Sequence, residues 1–395
     1  MFYNYCMVDL LDTLAVLSAH MGLEPDMDEC GVPTASQAES QCSTGRGELD
    51  HGMVFRPAGG PCKALLKTLL TSACERDCFY CPFRAGRDFR RATLKPEEMA
   101  DSFLTMHRAG TVDGIFLSSG VAGGGVRTQD RLNDTAEIIR NRRKFGGYLH
   151  LKIMPGAEKD QILQAMLLAD RVSINLEAPN DTRLGMLAPH KTFLDELLRP
   201  LKLAEEIRKT RLPYDAWRRK WPSLTTQFVV GGAGETDLEL LSTTQFLFRE
   251  LHLARVYYSA FNPVKDTPLE DRPPENPLRQ QRLYQASFLL RDYGFDVEEL
   301  PLSGNGTLPL DQDPKQAWAS QYLRESPVEV NRAEQSQLLR VPGIGPKTVA
   351  RLVTARGNHR ITALEELRGL GVNLHRAGPY LLLDGQQISY QPTLW

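Results

Sequence analysis

The sequence predicts an α/β protein in which six β-α units build one parallel sheet, followed by a small all-α unit. Two observations predict this. Strand-like and helix-like stretches alternate from about residue 61 to residue 295, as parallel strands joined by helical crossovers do. A separate compact pattern begins near Val328, after a Pro-rich stretch at 262–277 and a connecting stretch. A chain of 395 residues is long enough for more than one domain.

The composition limits the classes of function. The formal net charge of −2 excludes a uniformly basic nucleic-acid coat, so any anion-binding surface must be local. No run approaches the roughly 18 apolar residues that span a bilayer, and we expect no membrane partner. The N-terminal stretch lacks a basic region and contains two aspartates, which is not typical of a signal peptide. Seven cysteines, an odd number, favour a reducing compartment, so we expect a cytoplasmic protein.

The strands and helices are predicted from their periodicity. The strand-like runs are KALLKTLL (63–70), GIFLSS (114–119), YLHLKIM (148–154), RVSINLE (171–177), LTTQFVV (224–230) and ARVYYSA (254–260). The helical patterns cover 8–21, 94–110, 130–144, 158–169, 192–210, 236–252 and 278–294. Pro96 suits the first turn of its helix, where the missing N–H has no partner to lose.

Several predicted strands alternate polar and apolar residues. The polar residues that share a strand face are Tyr148, His150 and Lys152, then Ser173, Asn175 and Glu177, then Thr225 and Gln227. A parallel sheet buried on both faces should instead read as continuous apolar runs. The alternation therefore favours a sheet curled into a partial barrel around a lined cavity, with a ligand at the carboxyl ends of the strands. An open sheet, or a misassigned strand, is the alternative.

Three of the cysteines lie in CERDCFYC, with the spacing C-x3-C-x2-C: Cys74, Cys78 and Cys81. A disulfide fits neither their number nor the expected compartment. Zinc would need a fourth ligand, from Cys62 or a histidine. Three thiolates on one loop can instead hold three irons of a [4Fe–4S] cluster and leave the fourth iron open. Four cysteines lack metal-like spacing and are expected to be free or buried thiols, with a second cluster or an extra ligand from the last three as the alternative: Cys6, Cys30, Cys42 and Cys62.

The cysteine motif, with Tyr80 before the last cysteine, resembles that of the radical S-adenosylmethionine (SAM) superfamily. The resemblance implies a partial (β/α)6, TIM-like barrel over 61–295, an N-terminal extension over 1–60, and a connecting arm over 296–327. It also implies SAM contacts, which fall here on Tyr80, the SSG motif (Ser118, Ser119 and Gly120), the fourth strand (Ser173, Asn175 and Glu177) and Gly231 of VVGGAGET. SSG departs from the superfamily's usual GGE-like letters, which leaves those contacts less defined.

The resemblance implies the chemistry as well. The cofactors would be a [4Fe–4S] cluster and SAM, with an electron donor such as flavodoxin or ferredoxin. One electron from the cluster would cleave SAM and give a 5′-deoxyadenosyl radical that abstracts a substrate hydrogen. On the substrate side we expect Lys152, Tyr257 and Tyr258, because they lie near strand ends. A packed aromatic is the alternative for each tyrosine.

Two basic runs are interpreted as exposed surface charge. FRAGRDFRR (83–91) holds four arginines and is interpreted as a solvated charged run, with phosphate contacts as the alternative. RNRRK (140–144) lies at a helix end and is interpreted as exposed surface that suits the helix dipole.

The C-terminal stretch LLRVPGIGPKTVARLV (338–353) resembles the helix-hairpin-helix family. The resemblance implies a DNA-binding domain over 328–395 that contacts the phosphate backbone. Its contacts would come from Gly343, Ile344, Gly345, Lys347 and Thr348. Residues 331–380 carry eight Lys or Arg against three Asp or Glu, a local charge of +5. A hairpin used for protein contacts is the alternative.

Together these features resemble a bacterial family of radical SAM proteins described as acting in DNA modification or repair. That resemblance implies DNA as a partner, and a uracil-DNA-glycosylase-like protein as another. Two alternatives stay open. One is a radical SAM enzyme that acts on RNA, such as tRNA. The other is a DNA-binding protein whose iron–sulfur cluster is structural or redox-sensing.

Overall fold

The structure, a computed structural model, describes residues 2–21, 54, 55 and 64–388, with side chains over 10–20 and 64–388. The side chains of Cys6, Cys30, Cys42 and Cys62 lie outside the described part. Two compact units divide the chain. The first comprises Met1–Glu235 and Phe246–Asn276, and the second comprises Thr236–Gln245 and Pro277–Trp395. The domain limits given above stay predictions.

The first unit is built on a seven-stranded sheet whose strands follow chain order. The strands are β1 (Val54–Phe55), β2 (Leu65–Leu69), β3 (Gly114–Ser118), β4 (Tyr148–Lys152), β5 (Arg171–Ser173), β6 (Ser223–Val230) and β7 (Arg255–Ala260). Strands β2 to β7 pair in parallel, each with the next, and form a curled half-barrel. The predicted six-stranded parallel arrangement is therefore confirmed. Strand β1, which pairs antiparallel with β2, was not predicted.

Helix α1 (Phe2–Met21) precedes the strands. The helices between the parallel strands β2 to β7 are α2 (Pro96–Arg108), α3 (Gly125–Glu137), α4 (Lys159–Leu168), α5 (Asp181–Leu187), α6 (Arg199–Thr210) and α7 (Asp237–Glu250). Helix α5 was not predicted; the Asn180 side chain caps it by accepting a hydrogen bond from the backbone N–H of Arg183. In the part of the chain that the structure describes, no helix is long and apolar enough to cross a bilayer.

The predicted polar faces point into the half-barrel. His150 of β4 stacks on Phe116 of β3, with ring centroids 4.1 Å apart, and its Nε2 lies 2.9 Å from Ser173 Oγ of β5. Burial, with Arg171 and Lys152 nearby, holds the pKa of His150 well below its ordinary value, so this ring is neutral. The hydrogen-bonded pair of His150 and Ser173 is therefore buried inside the half-barrel, below the carboxyl ends of the strands.

The fourth predicted strand is shorter than expected. It ends at Ser173 rather than at residue 177. Glu177 adopts a left-handed φ of 66°, which is incompatible with a regular strand. The Leu176 N–H donates a hydrogen bond to the Thr226 hydroxyl. This irregular ending lies beside the cysteine loop, where backbone strain is often associated with function.

The expectation that RNRRK is surface is wrong for Arg140, which is 1% exposed. It lies in a π-helical turn, Ile138–Arg142, and donates to the carbonyls of Leu168, Phe145 and Gly147. Its Nη2 lies 2.7 Å from Asp170 Oδ2. Burial lowers the pKa of Arg140 to about 10, with Asp170 opposing the shift.

The second unit combines short helices with a small sheet. Its further helices are α8 (Pro277–Asp292), α9 (Pro314–Tyr322), α10 (Gln335–Arg340), α11 (Pro346–Asn358), α12 (Leu364–Gly369) and α13 (Leu374–Ala377). Strands β8 (Val328–Glu329), β9 (Leu381–Leu383) and β10 (Gln386–Gln387) form a three-stranded sheet. The prediction of an all-α C-terminal unit is therefore wrong, because the chain returns after α13 to pair with residues before α10. Helix α9 lies in the segment expected to be a connecting arm.

Candidate active site

The loop that follows β2 holds the three cysteines around one cavity at the carboxyl ends of the strands. Cys74, Cys78 and Cys81 are free thiols, and all three line a cavity of about 280 Å³. Each sulfur receives a hydrogen bond. The N–H of Val121 lies 3.4 Å from the Cys74 Sγ, and the N–H of Phe83 lies 3.4 Å from the Cys81 Sγ. The Lys191 side chain donates a hydrogen bond to the Cys78 sulfur.

Arginines from the run 83–91 brace this loop. Arg91 donates to the carbonyl oxygens of Ser72 and Phe83, at 2.9 Å and 3.0 Å. Arg84 donates to the Asp77 carbonyl, and Arg87 donates to the Pro82 carbonyl. The interpretation as a solvated charged run is therefore wrong for these three arginines, which fix the backbone around the cysteines.

The end of β3 packs against the same loop. The Gly120 N–H donates to the Thr71 carbonyl at 2.7 Å. A Cβ at Gly120 would overlap the Ala73 carbonyl oxygen and lie 3.2 Å from the Cys74 Cβ, so only glycine fits without displacing the loop. The Glu75 carboxylate accepts the N–H groups of Gly123 and Gly124, both at 3.0 Å, and ties the loop to the start of α3.

Charged groups surround Cys78 at the bottom of the loop. The Lys191 Nζ lies 3.8 Å from the Glu177 Oε1, and both side chains are 9% exposed. Burial raises the pKa of the Cys78 thiol, while Lys191 lowers it in part. Burial, together with the Glu177 carboxylate, also raises the pKa of Tyr80 well above its ordinary value, and Tyr80 is hydrogen-bonded to Glu177. Burial alone would lower the pKa of Lys191, but Cys78 and Glu177 reverse that effect and raise it.

The inner wall of the cavity carries polar groups that lack protein partners. The Asn175 Oδ1 and the Ser259 Oγ are buried and make no hydrogen bond with any residue that the structure describes. Lys152 is 9% exposed and lines the same cavity, and none of the described residues gives it an ion-pair or hydrogen-bond partner. Buried polar atoms are normally paired, so this wall is built to receive polar groups of a ligand.

The structure brings most of the predicted site residues together. Those that line the cavity are Cys74, Cys78, Tyr80, Cys81, Ser118, Ser119, Gly120, Lys152, Asn175 and Glu177. Ser173 lies below it, bonded to His150. Gly231 is not among the lining residues; its φ of 87° explains the glycine instead.

The two tyrosines expected on the substrate side do not line the cavity, so that placement is corrected. Tyr257 lies two residues before Ser259 on β7, deeper in the half-barrel, where its hydroxyl accepts a hydrogen bond from Arg171 at 3.0 Å. Tyr258 points to the opposite face of the strand, is fully buried, and lies near Phe228. Both have the packed role given above as the alternative.

The lining residues that were missed from the sequence include Lys191 and Ser259. Lys191 follows α5, a helix that was itself not predicted, and no spacing motif links it to Cys78. Ser259 lies between apolar and aromatic residues of β7, and only its position two residues from Tyr257 indicates an inward direction. Gln227, which lies on a predicted polar strand face, also lines the cavity.

The stretch with the predicted DNA contacts forms two short helices joined by a tight turn. Ile344 is 1% exposed and packs in the core of the second unit. Gly343 has a φ of 80°, and a Cβ there would lie 2.7 Å from the Asn373 carbonyl oxygen. Gly345 precedes the first turn of α11, where Lys347 is exposed. The Thr348 hydroxyl donates to the Gly371 carbonyl at 3.2 Å, which links this turn to the next one.

Comparisons with known proteins agree with the site. The family profile described as "Radical SAM superfamily" matches residues 68–247. No relative was found among curated protein sequences.

The similar solved structures include the following three. Methylornithine synthase (PylB) is 16% identical, with a TM-score of 0.45, over 57% of this chain and 61% of its own. The FeFe-hydrogenase maturase HydG from Carboxydothermus hydrogenoformans is 15% identical, with a TM-score of 0.45, over 57% and 51%. A radical SAM methyltransferase from Sphaerobacter thermophilus is 16% identical, with a TM-score of 0.42, over 60% and 70%. The chain thus spans less than two thirds of the first two.

By the profile match alone, residues 68–247 form a radical SAM superfamily domain, and the members of this superfamily are enzymes that use a [4Fe–4S] cluster and SAM. The side chains fit these groups. Three free thiols, each accepting a hydrogen bond at sulfur, suit one iron apiece. The unpartnered Asn175 and Ser259 oxygens suit the polar groups of SAM or a substrate.

Proposed function

We propose that the protein is a radical SAM enzyme that acts on DNA and binds it through the helical hairpin at 335–358. The observation that carries the enzymatic part is the cavity that joins Cys74, Cys78 and Cys81 to unpartnered polar groups on the inner wall. The cofactors supply the reductive cleavage of SAM. The protein's own residues hold, orient and shield the reactants.

The roles of the cavity residues follow from their contacts. Cys74, Cys78 and Cys81 hold the cluster. Glu177, fixed by Tyr80 and Lys191, presents a carboxylate that can accept hydrogen bonds from hydroxyl or amino groups of SAM. Lys152 has no carboxylate partner among the described residues, and we assign it to an anionic group of the substrate. A DNA phosphate has this chemistry.

The hairpin supports DNA as the substrate. Lys347 and Arg351 lie one turn apart on α11, are exposed, and pair with no carboxylate among the described residues. Other cations of this basic stretch are used within the unit. Arg360 pairs with Asp384, and Arg376 pairs with Asp313. The two free cations on one face suit phosphate contacts that fix position without reading sequence.

A base stacked in a duplex cannot reach into a cavity of the half-barrel, so the target nucleotide would have to be unpaired or flipped. The proposal includes a uracil-DNA-glycosylase-like protein as a partner in the same repair or modification process. It also includes flavodoxin or ferredoxin as the electron donor. RNA stays the second candidate, because free cations on a hairpin bind either backbone.

The test is anaerobic. The iron–sulfur cluster is reconstituted and reduced with dithionite, SAM is added, and 5′-deoxyadenosine is quantified alone, with single-stranded DNA, with duplex DNA and with tRNA. The proposal expects product that increases most with DNA and is absent from Cys74→Ala, Cys78→Ala and Cys81→Ala. Stimulation by tRNA alone would move the substrate to RNA. A fully loaded and reduced cluster without product would contradict the enzyme.

A further inference from the structure

Lys191 is a buried cation in direct contact with one of the cluster thiols. Its side chain is 9% exposed and is hydrogen-bonded to the Cys78 thiol. The segment that carries it is held in place, because the Lys191 N–H donates to the Ala188 carbonyl at 3.0 Å. The Phe79 N–H, next to Cys78, donates to the Leu187 carbonyl at 2.7 Å. The cysteine loop and the segment after α5 are therefore fixed against each other.

The charged and titratable groups that face Lys191 are Cys78, Cys81 and Glu177, and Tyr80 in turn faces Glu177. The Lys191 Nζ lies 3.8 Å from the Glu177 Oε1, beyond a close hydrogen bond. The ammonium therefore interacts with both a carboxylate and a sulfur. An ion pair alone does not require contact with the thiol. Cys74 and Cys81 each receive a peptide N–H group at sulfur. Cys78 receives a charged donor, the Lys191 ammonium.

We propose that Lys191 raises the reduction potential of the cluster held by Cys78. Reduction adds one electron to the cluster, so the reduced form carries more negative charge than the oxidised form. A positive charge and an N–H···S hydrogen bond stabilise the more negative form. Lys191 therefore tunes the ease of the first electron transfer from a one-electron donor. It is a positioning and tuning residue, and this inference rests on the proposed function.

The experiment compares the wild-type protein with Lys191→Met, Lys191→Gln and Lys191→Arg. Met removes both the charge and the donor, Gln keeps an N–H donor without charge, and Arg keeps both. Lys159→Met is the matched control, because Lys159 is 48% exposed and pairs with Glu206 on the outer helices. Each reconstituted protein is assayed for iron and titrated anaerobically with dithionite and mediators, without SAM. The midpoint potential is read from the EPR signal of the reduced cluster.

The expected order of midpoint potentials is wild type and Lys191→Arg highest, Lys191→Gln intermediate, and Lys191→Met lowest. Lys159→Met matches the wild type. An unchanged or higher potential in Lys191→Met, at full iron content, overturns the inference and leaves the proposed function intact. Loss of the cluster in every variant at 191 also overturns it, because Lys191 would then serve cluster assembly. Absence of a cluster from the wild type would instead remove the proposed function.

Discussion

Gly120 and Ala73 are in such close contact that a side chain at Gly120 would overlap the Ala73 carbonyl oxygen. This contact joins the end of β3 to the residue before the first cysteine. A Cβ would also lie 3.2 Å from the Cys74 Cβ. The position of the Cys74 thiol therefore depends on the absence of a side chain at the end of the neighbouring strand.

Gly120→Ala is expected to lower the iron bound per chain after reconstitution, because the added methyl group displaces the cysteine loop. Gly146→Ala is the control, since a Cβ at Gly146 meets no atom within 4 Å. Iron and sulfide analysis, with the absorbance of the cluster, measures the difference. Equal iron in both variants would show that the loop adapts to the methyl group.

Lys152→Met is expected to have opposite effects on stability and binding. Removing a buried cation without a protein partner should stabilise the fold by about 1 kcal/mol. The same change should weaken the binding of an anionic ligand about 10-fold to 100-fold, the value of a charged hydrogen bond. Thermal unfolding and equilibrium binding of SAM and of a short oligonucleotide measure the two effects. A loss of stability together with unchanged binding of both ligands would contradict this role.

Lys347→Ala and Arg351→Ala are each expected to weaken DNA binding to a similar extent for all sequences. Each should reduce the slope of log K against log salt concentration by about 1. Arg324→Ala removes one exposed charge from the same unit outside the hairpin and should leave the slope unchanged. Fluorescence anisotropy over a range of salt concentrations gives the slopes. The same slope for wild type and Lys347→Ala would exclude a phosphate contact there.

Arg140→Met is expected to destabilise the first unit by about 3–5 kcal/mol, because it leaves Asp170 and three carbonyls without their buried donor. Arg143→Met is the control. Arg143 is 46% exposed and pairs with a half-exposed Asp101, so its loss should cost less than about 1 kcal/mol. Denaturant unfolding of the two variants gives the difference, and similar midpoints would refute the buried role of Arg140.

We expect the free energy of unfolding of the second unit to depend on pH through Lys315. Burial, with Arg376 adding to the effect and Asp313 opposing it, lowers the pKa of Lys315 to about 7, while its Nζ lies 2.6 Å from the Ile344 carbonyl oxygen. Between about pH 7 and the ordinary lysine pKa of about 10.4, the unfolded chain binds a proton that the folded chain does not. This contribution therefore raises the free energy of unfolding as pH rises through that window.

Lys315→Met removes the contribution. Between about pH 7 and about pH 9, the unfolding temperature of the wild type should rise relative to that of the variant. Calorimetry at several pH values gives both curves. Parallel curves would mean that Lys315 keeps its proton in the folded state.

The strands were predictable because the residues that face the two sides of the sheet alternate along the sequence of each strand. The predicted stretch 114–119 corresponds to Gly114–Ser118, and 254–260 corresponds to Arg255–Ala260. The alternation of Tyr148, His150 and Lys152 indicated an interior that binds polar groups. The cysteine spacing then located the site, since three thiols within eight residues leave few chemical options.

The missed features depend on contacts between residues distant in sequence. Arg140 was predicted to be exposed because two of its acceptors, Leu168 and Asp170, lie beyond the next helix in the chain. Lys191 contacts a cysteine more than a hundred residues away. Tyr257 and Tyr258 are adjacent on one strand and must point to opposite faces, so at most one of them could have faced a ligand.

We infer that three cysteines, Cys74, Cys78 and Cys81, hold the cluster and leave one iron open to SAM. The most direct measurement is the EPR spectrum of the reconstituted, dithionite-reduced protein before and after SAM is added, in the wild type, in each Cys→Ala variant of Cys74, Cys78 and Cys81, and in Cys62→Ser. We predict a signal that SAM alters in the wild type and in Cys62→Ser, and that is lost in the other three. An EPR signal that SAM does not change, or one that Cys62→Ser abolishes, would contradict a cluster held by three cysteines with one iron open to SAM.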